Sequence, residues 1–369
     1  MNEEEKTFAF LLLMYSHLKL MACPPPPYIP DEQFFCILLL FQMYQEYLGL
    51  VTMPLSFFNI RLRDRILENE NQEPLATNNV YATLCNRPYE FWILSGETVC
   101  SFNNLVIMIS QMIPQIRFGN SYVSLENRVL LTLIWLRQYP TNTLLSLSFG
   151  LSVANVGKII NNMWVLLWEV CSPLVTWPSV QEWTAKQGHW REMANVVGSI
   201  DGTSHEILVP MVEPQQEFYS GHRNYHCNHT QVIIDNEKNI CYIHSGFLGH
   251  ENDAHAYQQL GPIGPGAPLD FPAGYFILGD SIYPNTPPLI VPYKSAEIFR
   301  ADAREKRRMR KFNRLHKSRR VYVEHVIKEL KTFRVIGSLY RHPRWQLSCV
   351  VELCAGLSNR RVDIINETY

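Results

Sequence analysis

Two short, largely apolar runs in this chain each end in an aspartate. "ANVVGSID" carries Val196, Val197 and Ile200 up to Asp201, and "YFILGD" carries Phe276, Ile277 and Leu278 up to Asp280. Runs of this length, without polar alternation, read as strands packed on both faces. The carboxyl ends of such strands open onto the crevice where α/β proteins place ligands. Two of them side by side bring two carboxylates within reach of one cation. Like charges that close repel, so something positive should sit between them. Gly202, Thr203 and Ser204 follow Asp201, and the expectation is that the first strand stops there and runs into a tight polar turn.

The surrounding segments supply the rest of an α/β layer. "HTQVIIDNEKNICYIHSG" (229–246) reads as two strands around a turn at "DNEKN". "DAHAYQQL" (253–260) reads as a short helix with Asp253 near its start, where an N-cap role or a place as a fourth acidic neighbour are both open. "GPIGPGAP" (261–268) is loop, and "SRRVYVEHVIKELKTF" (318–333) is a helix. Strand, strand pair, helix, strand and helix describe a mixed sheet flanked by helices.

Before this layer the period is helical. "SLENRVLLTLIWLRQYP" opens on a capping-box pattern, Ser124 with Asn127, and Pro140 stops the helix. Next, a helix over 143–149, a turn at Gly150 and Leu151 and a second helix capped by Ser152 outline a helix-turn-helix. Its second helix is expected to present Asn155, Lys158, Asn161 and Asn162, which can bond phosphates or base edges. The same outline also fits an ordinary helical hairpin. The expected organisation is a mostly helical region at 1–123 without a chemistry-bearing motif, the helix-turn-helix at 124–170, the α/β domain at 171–345 and a tail at 346–369.

Composition bounds the function classes. The 369 residues are 47% hydrophobic and 18% charged, with a net charge of −1, so no overall field draws the chain to nucleic acid. Nine cysteines without a CxxC pair favour free thiols in a reducing compartment. The apolar stretches at 8–14 and 34–44 are too short to span a bilayer, and Glu3, Glu4 and Glu5 precede the first where a signal peptide wants positive charge. Both read as buried helices, and no membrane association is expected.

Charge is unevenly placed. Between Arg300 and Arg320 stand eleven Lys or Arg against Asp302 and Glu305, a third of the chain's basic residues. On a helical wheel Lys317, Arg320, Glu324, Lys328 and Lys331 fall within about 40° of one line, beside an arc of Val323, Val326, Ile327, Leu330 and Phe333 that should face the sheet. Glu324 is therefore a third candidate carboxylate in a cationic stripe, although Glu324 with Lys328 also makes an ordinary i,i+4 surface pair. The run at 300–320 suits a phosphate-backbone contact surface, a solvated segment or a nuclear-import signal. Arg307, Arg308, Arg310, Lys317, Arg320 and Lys328, with Asn155 and Lys158 from the helix-turn-helix, are the candidate nucleic-acid contacts. Asp201, Asp280 and Glu324 would supply hard oxygen ligands for Mg²⁺ or Mn²⁺, two of which can drive in-line phosphodiester displacement.

"GSIDGTSHEI", "GFLGHENDAHAY", "LGDSIYPNTPPLIVPYK" and "FNRLHKSRRVYVEHVIKELKTFRVI", in that order, resemble successive blocks of the PIF/Harbinger-type DDE transposases and the domesticated nucleases derived from them. The resemblance covers roughly 124–340. It implies an RNase H-like catalytic domain using two divalent ions, with the family's two aspartates at Asp201 and Asp280 and its glutamate at Glu324. Asp253 matches a further family aspartate and joins the expected metal-binding set. The resemblance also implies DNA as substrate, residence in the nucleus and possible presence in the cytoplasm, and a Myb/SANT-like partner protein. Two positions depart from the family's pattern: Ser204 stands where His is usual, and Ile282 where Gly is usual.

Two other readings compete. Seven of the twelve histidines lie between 205 and 255 (His205, His222, His226, His229, His244, His250 and His255), near Cys227 and Cys241, so a zinc metallohydrolase is conceivable, though HExxH and a closed Cys/His set are both missing from the sequence. A transposase-derived protein that keeps DNA or protein contacts without cutting is the other.

Overall fold

A computed structural model describes residues 79–112 and 123–368, with side chains through Arg360. The apolar segments expected as buried helices at 8–14 and 34–44 lie outside the described residues. The helical part comprises α1 (Val80–Cys85), α2 (Pro88–Ser95), α3 (Val99–Met112), α4 (Leu125–Gln138), α5 (Asn142–Phe149) and α6 (Val153–Cys171). Ser124 caps α4 as expected, accepting from the Asn127 amide at 3.3 Å. The reciprocal half of a capping box is not made. The Asn127 side chain instead donates to Asn79 and accepts from the Tyr81 amide, tying α4 to α1. Val129, Leu130, Leu131, Leu133 and Leu136 are all fully buried, so α4 is apolar around most of its girth and forms the centre of the bundle.

The turn between α5 and α6 follows from two residues. Gly150 takes the left-handed conformation (φ 67°) that ends α5, and Ser152 caps α6 by accepting from the Asn155 amide at 3.2 Å. The helices cross at 101°, the geometry of a helix-turn-helix. No single helix among the described residues is long and apolar enough to cross a membrane.

The main strands of the six-stranded sheet are β1 (Val196–Glu206), β2 (Tyr225–Asp235), β3 (Ile240–Leu248), β4 (Phe276–Leu278) and β5 (Leu289–Ile290), and the two-residue strand Tyr219–Ser220 pairs with the start of β2. Their order is β3-β2-β1-β4-β5, antiparallel from β1 to β3 and parallel from β1 to β5. The expected turn after Asp201 is not there. β1 runs on to Glu206, and Gly202, Thr203 and Ser204 pair with Gln231, Thr230 and His229 of β2. Pairing along a long neighbour overrides the local turn preference of these residues. The hairpin turn lies where the sequence puts it, and Asp235 holds it by accepting from the Glu237 and Asn239 amides at 2.9 and 2.8 Å.

Helices cover the sheet. Trp183, Val197, Ile200, Ile233, Phe271 and Ile277 form one core with Ala256 of α7 (Asp253–Gln258). Trp190, Val196 and Leu278 form another with Tyr322 of α8 (Ala303–Leu330). This is the mixed, helix-flanked sheet of an RNase H-like domain, preceded by a helical region. Residues 346–369, expected as a tail, instead form α9 (Leu347–Thr368), which packs on β3, α6 and α8. Val350, Leu353 and Leu357 are fully buried there, each contributing about 1.5–3 kcal/mol. A side chain at Gly356 would come within 2.0 Å of the Cys171 carbonyl, so glycine is what lets α9 and α6 approach.

Candidate active site

Asp201 lies within β1, and α8 brings Arg320 to it. One guanidinium nitrogen of Arg320 sits 3.1 Å from Asp201 Oδ2, and the other pairs with Glu324, one helical turn further on. α8 is held by more than its apolar face. Asn313 exchanges two hydrogen bonds with the Tyr293 backbone at 2.9 Å each, the His316 ring meets the Ile290 carbonyl at 3.2 Å, and Val323, Val326 and Leu330 are buried. Burial pushes the Asp201 carboxyl up from its usual range. Arg320 opposes that shift and the negative charge of Asp253 adds to it.

Asp280 follows β4 directly, as its sequence predicts. Leu278 pairs with Ser199, so Asp280 follows two residues after the end of β4 and Asp201 two residues further along the neighbouring β1. Asp280 accepts from the Ser281 amide at 2.5 Å. The buried Tyr283 donates to Gln231 Oε1 at 2.7 Å. Its phenol is raised well above the ordinary tyrosine range, first by burial and then by the charges of Asp253, Asp201 and Asp280. One side chain thus feels three aspartates that are far apart in sequence.

Asp253 is not the helix cap. Asn252 has that role and accepts from the His255 amide at 2.9 Å. The Asp253 carboxylate accepts instead from His229 Nε2 at 2.6 Å and Gln231 Nε2 at 3.1 Å. Burial works against its charged form, but these bonds outweigh it and hold the carboxyl below its usual range. The carboxylate lies directly over Gly202, where a Cβ would come within 1.7 Å of Oδ1. His229, Gln231 and Tyr283 escaped the sequence reading as members of this network. The glycine after Asp201 was the one local signal, since a glycine inside a strand marks close approach of another group.

The candidate nucleic-acid contacts divide. The basic run is ordered as the N-terminal half of α8, capped by Asp302, and Arg307, Arg308, Arg310, Lys317 and Lys328 are exposed. Arg320 is not among them, because its guanidinium is turned to Asp201 and Glu324 with 18% of the side chain exposed. Asn155 is buried as the third residue of α6, contrary to the exposed position expected of it, whereas Lys158 is exposed. From Thr141 to Cys171 the charged residues are Lys158 and Glu169 alone, and Leu144, Leu147 and Val153 are exposed.

The histidines go to separate partners. His205 is wholly buried against the Ile336 carbonyl, and desolvation takes it down to about 3. His229 serves Asp253, His250 the Glu217 carbonyl and His255 Glu251. Among the described residues no group of three or more His, Cys, Asp or Glu is arranged to hold a metal ion. For the histidines the cause is this dispersal. For the acids it is different: Asp201, Asp253, Asp280 and Glu324 are the hard oxygen donors that a divalent cation takes, and Arg320 stands between two of them.

Residues 200–359 match the family described as DDE superfamily endonuclease, and residues 122–172 match the helix-turn-helix of that same superfamily. A protein named "Protein ALP1-like" from Arabidopsis thaliana is 23% identical over 262 residues, 67% of this chain and 63% of its own length. A candidate transposase for insertion sequence element IS112 from Streptomyces albus G is 26% identical over 250 residues, 66% of this chain and 85% of its own length. The chain thus spans less than two thirds of the Arabidopsis relative. No solved structure matches the chain.

Proposed function

Because the chain belongs to the DDE transposase family, we propose that it is a divalent-metal-dependent nuclease of transposase origin that cleaves DNA phosphodiester bonds. The observation that carries this reading is the meeting of Asp201 and Glu324, from distant parts of the chain, on one guanidinium, with Asp280 two residues past the end of β4, the strand that pairs with β1. Asp201, Asp280 and Glu324, with Asp253 as a fourth, would hold Mg²⁺ or Mn²⁺, which when bound supplies nucleophile activation and leaving-group stabilisation in a two-metal scheme. The protein's own residues do the rest. Arg310, Lys317 and Lys328 continue the helical stripe that carries Glu324 and offer cations to the DNA backbone beside the acids. His229 and Gln231 fix the Asp253 carboxylate, and Tyr283 holds Gln231 in turn. Nuclear residence belongs to the same proposal, since the exposed basic stretch of α8 suits an import receptor.

The test is nicking of supercoiled plasmid in Mg²⁺ or Mn²⁺. Wild type should nick, and Asp280→Asn should lose at least a hundredfold in rate. Equal activity of the two would refute the assignment.

One observation favours a second reading, a DNA- or protein-binding protein that no longer cuts. From Thr141 to Cys171 the helix-turn-helix exposes Leu144, Leu147 and Val153 and carries a single cation, Lys158, a surface better suited to a protein partner, such as a Myb/SANT-like protein, than to a phosphate backbone. Inert wild type with salt-sensitive DNA binding would select it.

A further inference from the structure

We propose that Arg320 is a resident counter-cation that a divalent ion must displace from Asp201 and Glu324, so that metal loading competes with an internal ion pair. This rests on the metal-dependent reading above. The guanidinium bridges both carboxylates at once, 3.1 Å from Asp201 on one side and paired with Glu324 on the other. It is largely withdrawn from solvent, with 18% of the side chain exposed.

An added divalent ion would place two positive centres against the same carboxylates, which is repulsive at short range. Arginine cannot relieve this by losing a proton, because it stays charged at any pH a protein survives. Relief has to come from movement. The backbone of α8 is fixed by Asn313, His316 and its buried apolar face, so the movement falls to the Arg320 side chain, whose flexible stem leaves it free to swing. Glu324 is 38% exposed, which leaves an open side through which the guanidinium can withdraw. The arrangement offsets part of the carboxylates' charge beside the central strand without metal. It also sets a threshold that metal must exceed.

The experiment is isothermal titration of the full chain with Mn²⁺, comparing wild type, Arg320→Gln, Arg320→Lys and Asp280→Asn, with circular dichroism to verify folding. Arg320→Gln should bind Mn²⁺ at least tenfold more tightly than wild type, and Arg320→Lys, which keeps the charge, should stay near wild type. In metal-free buffer Arg320→Gln should melt below wild type and gain more from Mn²⁺. Unchanged or weaker binding by Arg320→Gln overturns the proposal and leaves the metal site standing, provided wild-type binding depends on Asp280. So does equal tightening by Arg320→Lys. Folded proteins whose Mn²⁺ affinity is indifferent to Asp280 overturn the metal-site reading, and this proposal with it.

Discussion

The carboxylate of Asp253 fills the space in which any side chain at position 202 would lie, 1.7 Å from where a Cβ would be built. Gly202→Ala must therefore push Asp253 away from His229 and Gln231. The expected loss is about 1–3 kcal/mol, as for other overpacked sites. Denaturant melts of the two single variants and of Gly202→Ala with Asp253→Ala measure it. The double variant should lose less than the sum of the singles, because the clash is gone.

The two aspartates titrate in opposite directions, and their signs can be separated. Asp253 is held below its ordinary value of 3.8, so its stabilisation is present above that pH and fades as pH falls through the lowered value. Asp201 is raised above 3.8, so its effect favours the fold at low pH and is lost as pH rises through the raised value. In metal-free melts from pH 3 to 7, Asp253→Asn should flatten the acid-side loss of stability. Asp201→Asn should gain on wild type as pH rises. Parallel curves for all three proteins would contradict both assignments.

α9 should behave as core. Leu353 is fully buried in it, and Leu353→Ala should lower stability by about 2–5 kcal/mol by urea unfolding. A dispensable tail would lose almost nothing.

The exposed arginines of α8 are expected to meet the DNA backbone. Replacing Arg307, Arg308 and Arg310 with Gln should weaken duplex binding and reduce the slope of log affinity against log salt by up to about 2–3, one cation per phosphate contact. An unchanged slope in fluorescence anisotropy would show that this face does not meet the backbone.

How far the sequence carried depended on whether a residue's role was local. Asp280 was readable, because the apolar run before it is β4 and the chain leaves the sheet there. The turn between α5 and α6 was readable too, from Gly150 and Ser152. Asp201 was placed at a strand end because Gly202 to Ser204 look like a turn, and only the presence of β2 alongside keeps them extended. Asn155 looked exposed by its polarity but faces inward under its cap. The helix α9 at 347–368 was not expected, and it packs on α6 and β3. The positive charge expected between Asp201 and Asp280 is found instead between Asp201 and Glu324, as Arg320, a residue the charge pattern also offers to DNA.

The most direct measurement is a crystal structure of the protein grown with Mn²⁺ and a short DNA duplex, with the metal located by anomalous scattering. The expected result is manganese bounded by Asp201 and Asp280, with Glu324 released from Arg320. Manganese found only among the histidines, or none at the acids while the Arg320 bridge stays closed, would contradict the assignment of these carboxylates as a nuclease centre.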